Sequence, residues 1–203
     1  MSTRSPSLVI TDVGGTLLRT DELHLEAWRA ALAHYGFEHT QHLAVVHQSF
    51  AAGNDSFTTA RQLELPSSIA IKIAERKRKL AEVTAPVGIR HEVVQYIESF
   101  RVPVCAVSHS EEHWTRAMLI EAGIADKFSL VLGRTTETST SKAELIQICL
   151  DRFVKDRNVL YIGDTDTDKN LALEFNLTYV SALAICTTDS QSAETTGPAK
   201  AYE

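Results

Sequence analysis

The sequence has no apolar run approaching the ~20 residues a membrane helix needs, so a membrane-spanning chain is not expected. Basic residues are in deficit: 20 Lys and Arg stand against 26 Asp and Glu, for a net charge of -6. A nucleic-acid-binding face calls for the opposite sign. Cysteine is scarce, and Cys105, Cys149 and Cys186 are far apart, odd in number and set among apolar neighbours. They read as buried thiols of a reducing compartment, which points to the cytoplasm, and not as a disulfide framework or a zinc site. The opening Met-Ser-Thr-Arg-Ser-Pro-Ser is polar and lacks the apolar centre of a signal peptide. No internal repeat is visible.

What is present is enough for a folded core. Of 203 residues, 44% are hydrophobic, which excludes global disorder and fits one compact domain or a core with a small insert. Leu8-Val9-Ile10 is a short apolar run ended by Asp12 and Gly14-Gly15, the pattern of a buried strand and a tight turn. From Leu18 to Thr84 the text reads as helical throughout, with segments at Glu22–Tyr35, Leu43–Phe50 and Ser67–Val83. After Pro86 strands and helices alternate. Strands are expected at Val102–Val107, Phe128–Leu132, Val159–Ile162 and Leu177–Val180. Helices are expected at Glu92–Phe100, Glu111–Ala122, Lys142–Phe153 and Asp168–Phe175. Such alternation implies a parallel sheet covered on both faces. The fold class is therefore α/β, a Rossmann-like core formed by residues 1–17 and 85–203, with a helical insert at 18–84. The Ser, Thr, Gly and Pro-rich tail from Thr187 is expected to be mobile.

In open α/β sheets ligands sit beyond the carboxyl ends of the strands. Three strand ends here carry polar residues: Asp12, Ser108, and Asp164 with Asp168. Together with Lys142 they supply a carboxylate, a hydroxyl, an ammonium and an acid pair. That set can hold a divalent cation and a phosphoryl group together.

The spacing resembles the haloacid dehalogenase superfamily. Asp12-Val13-Gly14-Gly15-Thr16-Leu17 is similar to its first motif, Asp-x-Asp-Gly-Thr-Leu. Ser108 is similar to the second, Lys142 to the third, and Gly163-Asp164-Thr165-Asp166-Thr167-Asp168 to the fourth, Gly-Asp-x-x-x-Asp. The insert between the first two motifs is similar to the helical cap of the β-phosphoglucomutase and phosphoglycolate phosphatase branch. Asp21-Glu22-Leu23-His24 with Trp28 resembles the first cap helix of that branch. The resemblance implies a phosphoester hydrolase that uses Mg²⁺ and passes through an aspartyl phosphate. Asp12 is then the nucleophile. Gly15, Thr16, Ser108, His109 and Lys142 contact phosphate, and Asp12, the Gly14 carbonyl, Asp164 and Asp168 hold the metal. The implied partner is a small phosphorylated metabolite, with no nucleic acid or membrane, and the chain acts as a monomer or homodimer.

One position departs from the pattern. The second acid of the first motif, the family's general acid/base, falls on Gly14. Acid–base catalysis is typically worth ~10²–10⁴-fold, so a slowed or altered enzyme is expected. Two rivals follow: a non-catalytic binding protein of the same fold, and a phosphonatase-like hydrolase needing an amine from Lys72, Lys77 or Lys79 in the insert. Three other readings fall away or stay bland. Asp164 to Asp168 mimics the start of a calcium loop, but Lys169 and Phe175 stand where Gly and Glu are required. Asp-Val-Gly-Gly-Thr also resembles a sugar-kinase phosphate loop, yet a second glycine-rich nucleotide loop is lacking. Arg76-Lys77-Arg78-Lys79 reads as a solvated helix face. His24 and the stretch Gly53-Asn54-Asp55-Ser56 are candidate cleft residues.

Overall fold

A computed structural model describes residues 5–83, 88–135, 140–154 and 158–193. Its centre is a five-stranded parallel sheet. Strand β1 (Leu8–Asp12) is buried along its whole length. It pairs with β4 (Val104–Glu111) on one side and β6 (Val159–Gly163) on the other. β5 (Leu130–Arg134) and β7 (Thr178–Ser181) close the edges, giving the order β5-β4-β1-β6-β7. The chain runs outward on one side of β1, then returns and runs outward on the other. The carboxyl ends of β1, β4 and β6 thus flank the crevice at which the strand order reverses.

Strand alternation divides β1 between two cores. Val9 faces a cluster with Ala106, Leu160 and Ile162. That cluster is covered by α5 (His91–Glu98), α6 (Glu112–Glu121) and α9 (Ala182–Ala193). Leu8 and Ile10 face Cys105, Val107 and Tyr161 beneath α7 (Lys142–Phe153) and α8 (Asp166–Glu174). A period of two along a strand with apolar cover on both sides accounts for the unbroken apolar runs in the sequence.

The insert forms α1 (Asp21–His34), α2 (Thr40–Ala51), α3 (Ser56–Arg61) and α4 (Ser67–Val83), around a third core that includes Trp28, Leu32, Val46, Leu63 and Ile73. Three details differ from the sequence reading. Leu18–Arg19, expected to be helical, is a short strand β2 that pairs antiparallel with β3 (Gly88–Ile89). Two residues carry no readable period, and the strand exists only through this distant pairing. Helix α3 falls within the stretch read as helical but was not among its named segments; Asp55 caps it, accepting from the N–H groups of Phe57 at 2.7 Å and Thr58 at 3.1 Å. The stretch Thr187–Ala193, expected to be mobile, continues α9, and the rest of that tail lies outside the described residues. No helix among the described residues is long and apolar enough to cross a membrane.

Candidate active site

Beyond the carboxyl ends of β1, β4 and β6 a cavity of about 150 Å³ opens against the helical insert. That volume suits a small molecule. Its floor is built from the core. The chain leaves β1 at Asp12 and turns sharply through Gly14 and Gly15, where φ at Gly15 is +79°. A Cβ at Gly15 would lie 2.2 Å from Asp164 Oδ2, so this turn and its approach to Asp164 require glycine. Arg90 pins the turn from outside, donating from Nε to the Gly15 carbonyl at 2.7 Å.

Lys142 is placed by the start of α7, where Ser141 and Glu144 form a reciprocal capping box. It is 4% exposed, and its Nζ donates to Asp12 Oδ1 at 2.5 Å and Asp168 Oδ1 at 2.6 Å. Asp168 is placed by a second capping box: its Oδ2 accepts from the Thr165 hydroxyl at 2.7 Å and the Thr165 N–H at 3.2 Å. Tyr161 adds an O–H to Asp168 Oδ1 at 2.9 Å. Thr16 donates its hydroxyl to Asp164 Oδ1 at 2.7 Å. Among the described residues, Asp12 Oδ2 and Asp164 Oδ2 receive no hydrogen bond.

Oxygens of Asp12, Asp164 and Asp168 lie within 4.8 Å of one another. One ammonium among three carboxylates leaves an excess of negative charge. Asp12 shows the strain: burial, with Asp168 and Asp164 adding to it against the pull of Lys142, pushes its carboxyl up to about 7. Burial also raises Asp164, with the neighbouring acids adding to it. Burial works against charged Asp168 too, but Lys142 and the donated hydrogen bonds outweigh it and hold Asp168 below the usual carboxylate range. Lys142 is held well above its ordinary value, because its acidic partners outweigh burial. An all-oxygen acid cluster with uncompensated charge and two unengaged oxygens fits a hard divalent cation such as Mg²⁺. Asp12 and Asp164 have oxygens available to it. Both Asp168 oxygens are taken, so Asp168 is built to hold Lys142.

The sequence-predicted residues are distributed as follows. Asp12, Gly14, Ser108, His109, Lys142, Asp164 and Asp168 all line the cavity. Gly15 and Thr16 stand outside its lining, and the buried Thr16 hydroxyl is spent on Asp164. Ser108 does not cap a helix: β4 continues past it, with a break in register between Val107 and Glu111, before α6 begins. Its buried hydroxyl accepts from the Ser110 N–H at 3.1 Å. A register irregularity beside a site re-aims side chains. Asp166 is exposed. Of the cysteines, Cys105 and Cys149 are buried while Cys186 is half-buried.

His24 and Gly53 to Ser56 also line the cavity. The basic run does not form a solvated face. Lys72 and Lys79 are exposed, but Lys77 is 7% exposed and lines the cavity, and Arg78 pairs with Glu111 of β4. The signal was available in the helix period: Lys77 falls on the buried stripe of Ala70, Ile73, Ala74 and Ala81. Tyr161, Thr20, Trp114 and Arg134 were missed. Thr20 is the telling one. Among the described residues its buried hydroxyl has no hydrogen-bond partner, and a Cβ built on Gly14 would sit 2.9 Å from it. A polar group thus stands unsatisfied beside the position where the motif's second acid is absent.

A family model of haloacid dehalogenase-like hydrolases matches residues 6–172. No curated protein sequence matches the chain. Among solved structures it is similar to a predicted phosphatase from Clostridium acetobutylicum, with a TM-score of 0.75 and 15% identity over 88% of this chain and 85% of that one. It is similar to a haloacid dehalogenase-like family hydrolase from Streptococcus pneumoniae, with a TM-score of 0.73 and 15% identity over 89% and 85%. It is also similar to Protein Tyrosine Kinase A from Mycobacterium tuberculosis, with a TM-score of 0.70 and 21% identity over 88% and 84%. At these identities the likeness is one of fold.

Proposed function

Because the chain belongs to the haloacid dehalogenase-like hydrolase family, we propose that it is a Mg²⁺-dependent phosphatase acting on a small phosphorylated metabolite, with the helical insert as its cap. The observation that carries this reading is the shared lysine: Lys142 holds Asp12 and Asp168 while Asp12 keeps one oxygen unengaged beside Asp164. The Asp12 carboxylate attacks phosphorus, a P–O bond forms to it, and the ester oxygen leaves with the electron pair of the broken P–O bond. Water then attacks the phosphorus of the acyl phosphate, releasing phosphate and restoring Asp12. Lys142 and the Ser108 hydroxyl face the phosphoryl oxygens and offset their charge. Asp12, Asp164 and the Gly14 carbonyl would hold Mg²⁺, which when bound supplies further charge neutralisation at the phosphoryl group. Gly14 supplies no proton, so leaving groups of low pKa react best.

The test is hydrolysis of p-nitrophenyl phosphate and acetyl phosphate with and without Mg²⁺, beside an Asp12→Asn control. The reading expects metal-dependent turnover that the control lacks. Gly14 favours a second reading, a binding protein of the same fold, and turnover no higher than the control would select it. Hydrolysis of a phosphonate, with borohydride trapping at Lys77, would instead select a phosphonatase-like enzyme.

A further inference from the structure

Hydrolysis of an acyl phosphate is helped by a group that takes a proton from the attacking water, and Gly14 has no side chain to do so. Most other proton acceptors around the cavity are committed. Both Asp168 oxygens accept hydrogen bonds, and Asp164 belongs to the acid cluster. Asp55 spends both oxygens on α3, accepting from the Phe57 and Thr58 N–H groups and the Thr58 hydroxyl. Glu111 pairs with Arg78 and approaches His113, and Glu82 is exposed at the rim. At the insert end, Lys77 Nζ lies 3.2 Å from His24 Nδ1 and 3.1 Å from the Ser56 hydroxyl. Burial and then Lys77 push the His24 imidazole down to about 3. His24 is therefore neutral, its Nδ1 accepts from the ammonium, and its Nε2 carries the proton. Burial, with Arg78 and Arg134 adding to it, pulls Lys77 down to about 8, so Lys77 is mostly charged at neutral pH.

His109 differs from all of these. It follows Ser108 on β4, and in a regular strand the two side chains would point to opposite faces. Both line the cavity, because the register of β4 is irregular between Val107 and Glu111. The His109 Nε2 is buried and, among the described residues, has no hydrogen-bond partner. A buried polar nitrogen left unpaired is costly, so this one calls for a partner from outside the chain. Charged groups act on the ring from both ends of the cavity: Lys142 and Asp168 from the core, Arg134 and Asp55 from the other side. Burial and then Lys142 push the imidazole down to about 4, so it is neutral at pH 7 and carries one bare nitrogen. A bound phosphoryl group offsets Lys142 and raises it from there, toward the range in which a base is effective.

We propose that His109 takes the proton from the water that hydrolyses the aspartyl phosphate, in place of the acid absent at Gly14. The proposal rests on the phosphatase reading. The water oxygen forms a bond to phosphorus, and the P–O bond to Asp12 breaks with its electron pair returning to the carboxylate. The water proton passes to the bare nitrogen of His109 and from there to solvent. A neutral imidazole has no such role in the first half of the reaction, where the ester oxygen leaves unprotonated. His109 thus serves one half-reaction and not the other.

The experiment is rapid-quench hydrolysis of p-nitrophenyl phosphate by the full chain in Mg²⁺ buffer, beside His109→Ala and His109→Gln. Gln keeps the bulk and hydrogen-bonding capacity of the side chain but cannot take up a proton. In both variants kcat is expected to fall about 10²-fold, with KM falling in parallel and kcat/KM unchanged. A burst of one p-nitrophenol per site is expected before the slow phase, and imidazole in solution is expected to restore kcat of His109→Ala about tenfold. In the unaltered protein, decay of the phosphoenzyme is expected to slow about twofold in D₂O, and this reading requires no variant to fold. Unchanged kcat, full activity in His109→Gln, a fall in kcat/KM without a burst, or phosphoenzyme decay indifferent to D₂O overturns the role of His109 while leaving the phosphatase standing. Absence of Mg²⁺-dependent turnover in the unaltered protein removes the phosphatase reading itself, and this role with it.

Discussion

The two ends of the cavity are opposites in charge and in how completely they satisfy themselves. At the core end Lys142 is matched by two carboxylates, and Asp168 by Lys142, Tyr161 and Thr165. Among the described residues of this cluster, Asp12 and Asp164 retain unengaged oxygens, and oxygens of the three carboxylates lie within 4.8 Å of one another. At the insert end a buried ammonium rests on a neutral imidazole and a hydroxyl, and among the described residues the buried Arg134 Nε has no hydrogen-bond partner. The contrast teaches that a saturated network and an incomplete one differ in what they fix: the first holds Asp12, Lys142 and Asp168 to one another, and the second leaves buried polar groups only partly matched.

The contrast is broken most severely at Lys142. Lys142→Met leaves Asp12 and Asp168 buried without their cation, and a loss of about 3–5 kcal/mol in denaturant unfolding is expected, together with loss of phosphatase activity. Restoring charge balance from solution should act in the reverse sense. Mg²⁺ at a hundredfold its dissociation constant is expected to stabilise the protein by about 2.7 kcal/mol, read as a rise in Tm that Asp164→Asn abolishes. Gly14→Asp sharpens the account of the missing acid. Gly14 does not have a positive φ, and the Thr20 hydroxyl beside it lacks a partner, so a carboxylate there gains a donor once Thr20 rotates. Turnover of alkyl phosphates is expected to rise about 10²-fold, with a smaller rise for p-nitrophenyl phosphate; equal changes would count against the mechanism.

At the insert end the sign reverses, and removing the charge should stabilise. Lys77 loses its proton at about 8 in the fold, against an ordinary value of 10.5. Between these values the unfolded chain holds more protons, so stability rises with pH across that window. Below pH 8 the penalty is present in full. Lys77→Met is therefore expected to gain about 1–3 kcal/mol at pH 7, a gain that fades toward pH 10.5; a destabilised variant at pH 7 would contradict it. The smallest effect belongs to Tyr161→Phe, which removes one donor from Asp168 and is expected to cost about 1 kcal/mol, with the other three donors keeping Asp168 in place.

The sequence revealed the core end far better than the insert end, and the reason is physical. Asp12, Lys142, Asp164 and Asp168 each sit at or beside the end of an element whose period or cap is local, and Ser108 directly follows the apolar run of β4, so their convergence follows once the sheet order is right. Lys77 and Arg134 acquire their meaning from burial against distant segments. Lys77 lies among basic neighbours that mask its place on the apolar stripe of α4, and Arg134 follows a glycine at a strand end with nothing local to mark it. Strands β2 and β3 are two residues each and exist only as a pair. Helix α9 was concealed by Ser and Thr, which mark loops by composition yet do not prevent a helix that packs Ala182 and Ile185 against the sheet.

The most direct measurement is a crystal structure with Mg²⁺ and beryllium trifluoride. The account predicts beryllium bonded to an Asp12 oxygen, a fluoride facing both the Lys142 ammonium and the Ser108 hydroxyl, and the metal held by Asp12 and Asp164 with Asp168 still on Lys142. An adduct absent from Asp12 under saturating reagent, or a metal held elsewhere, would contradict it.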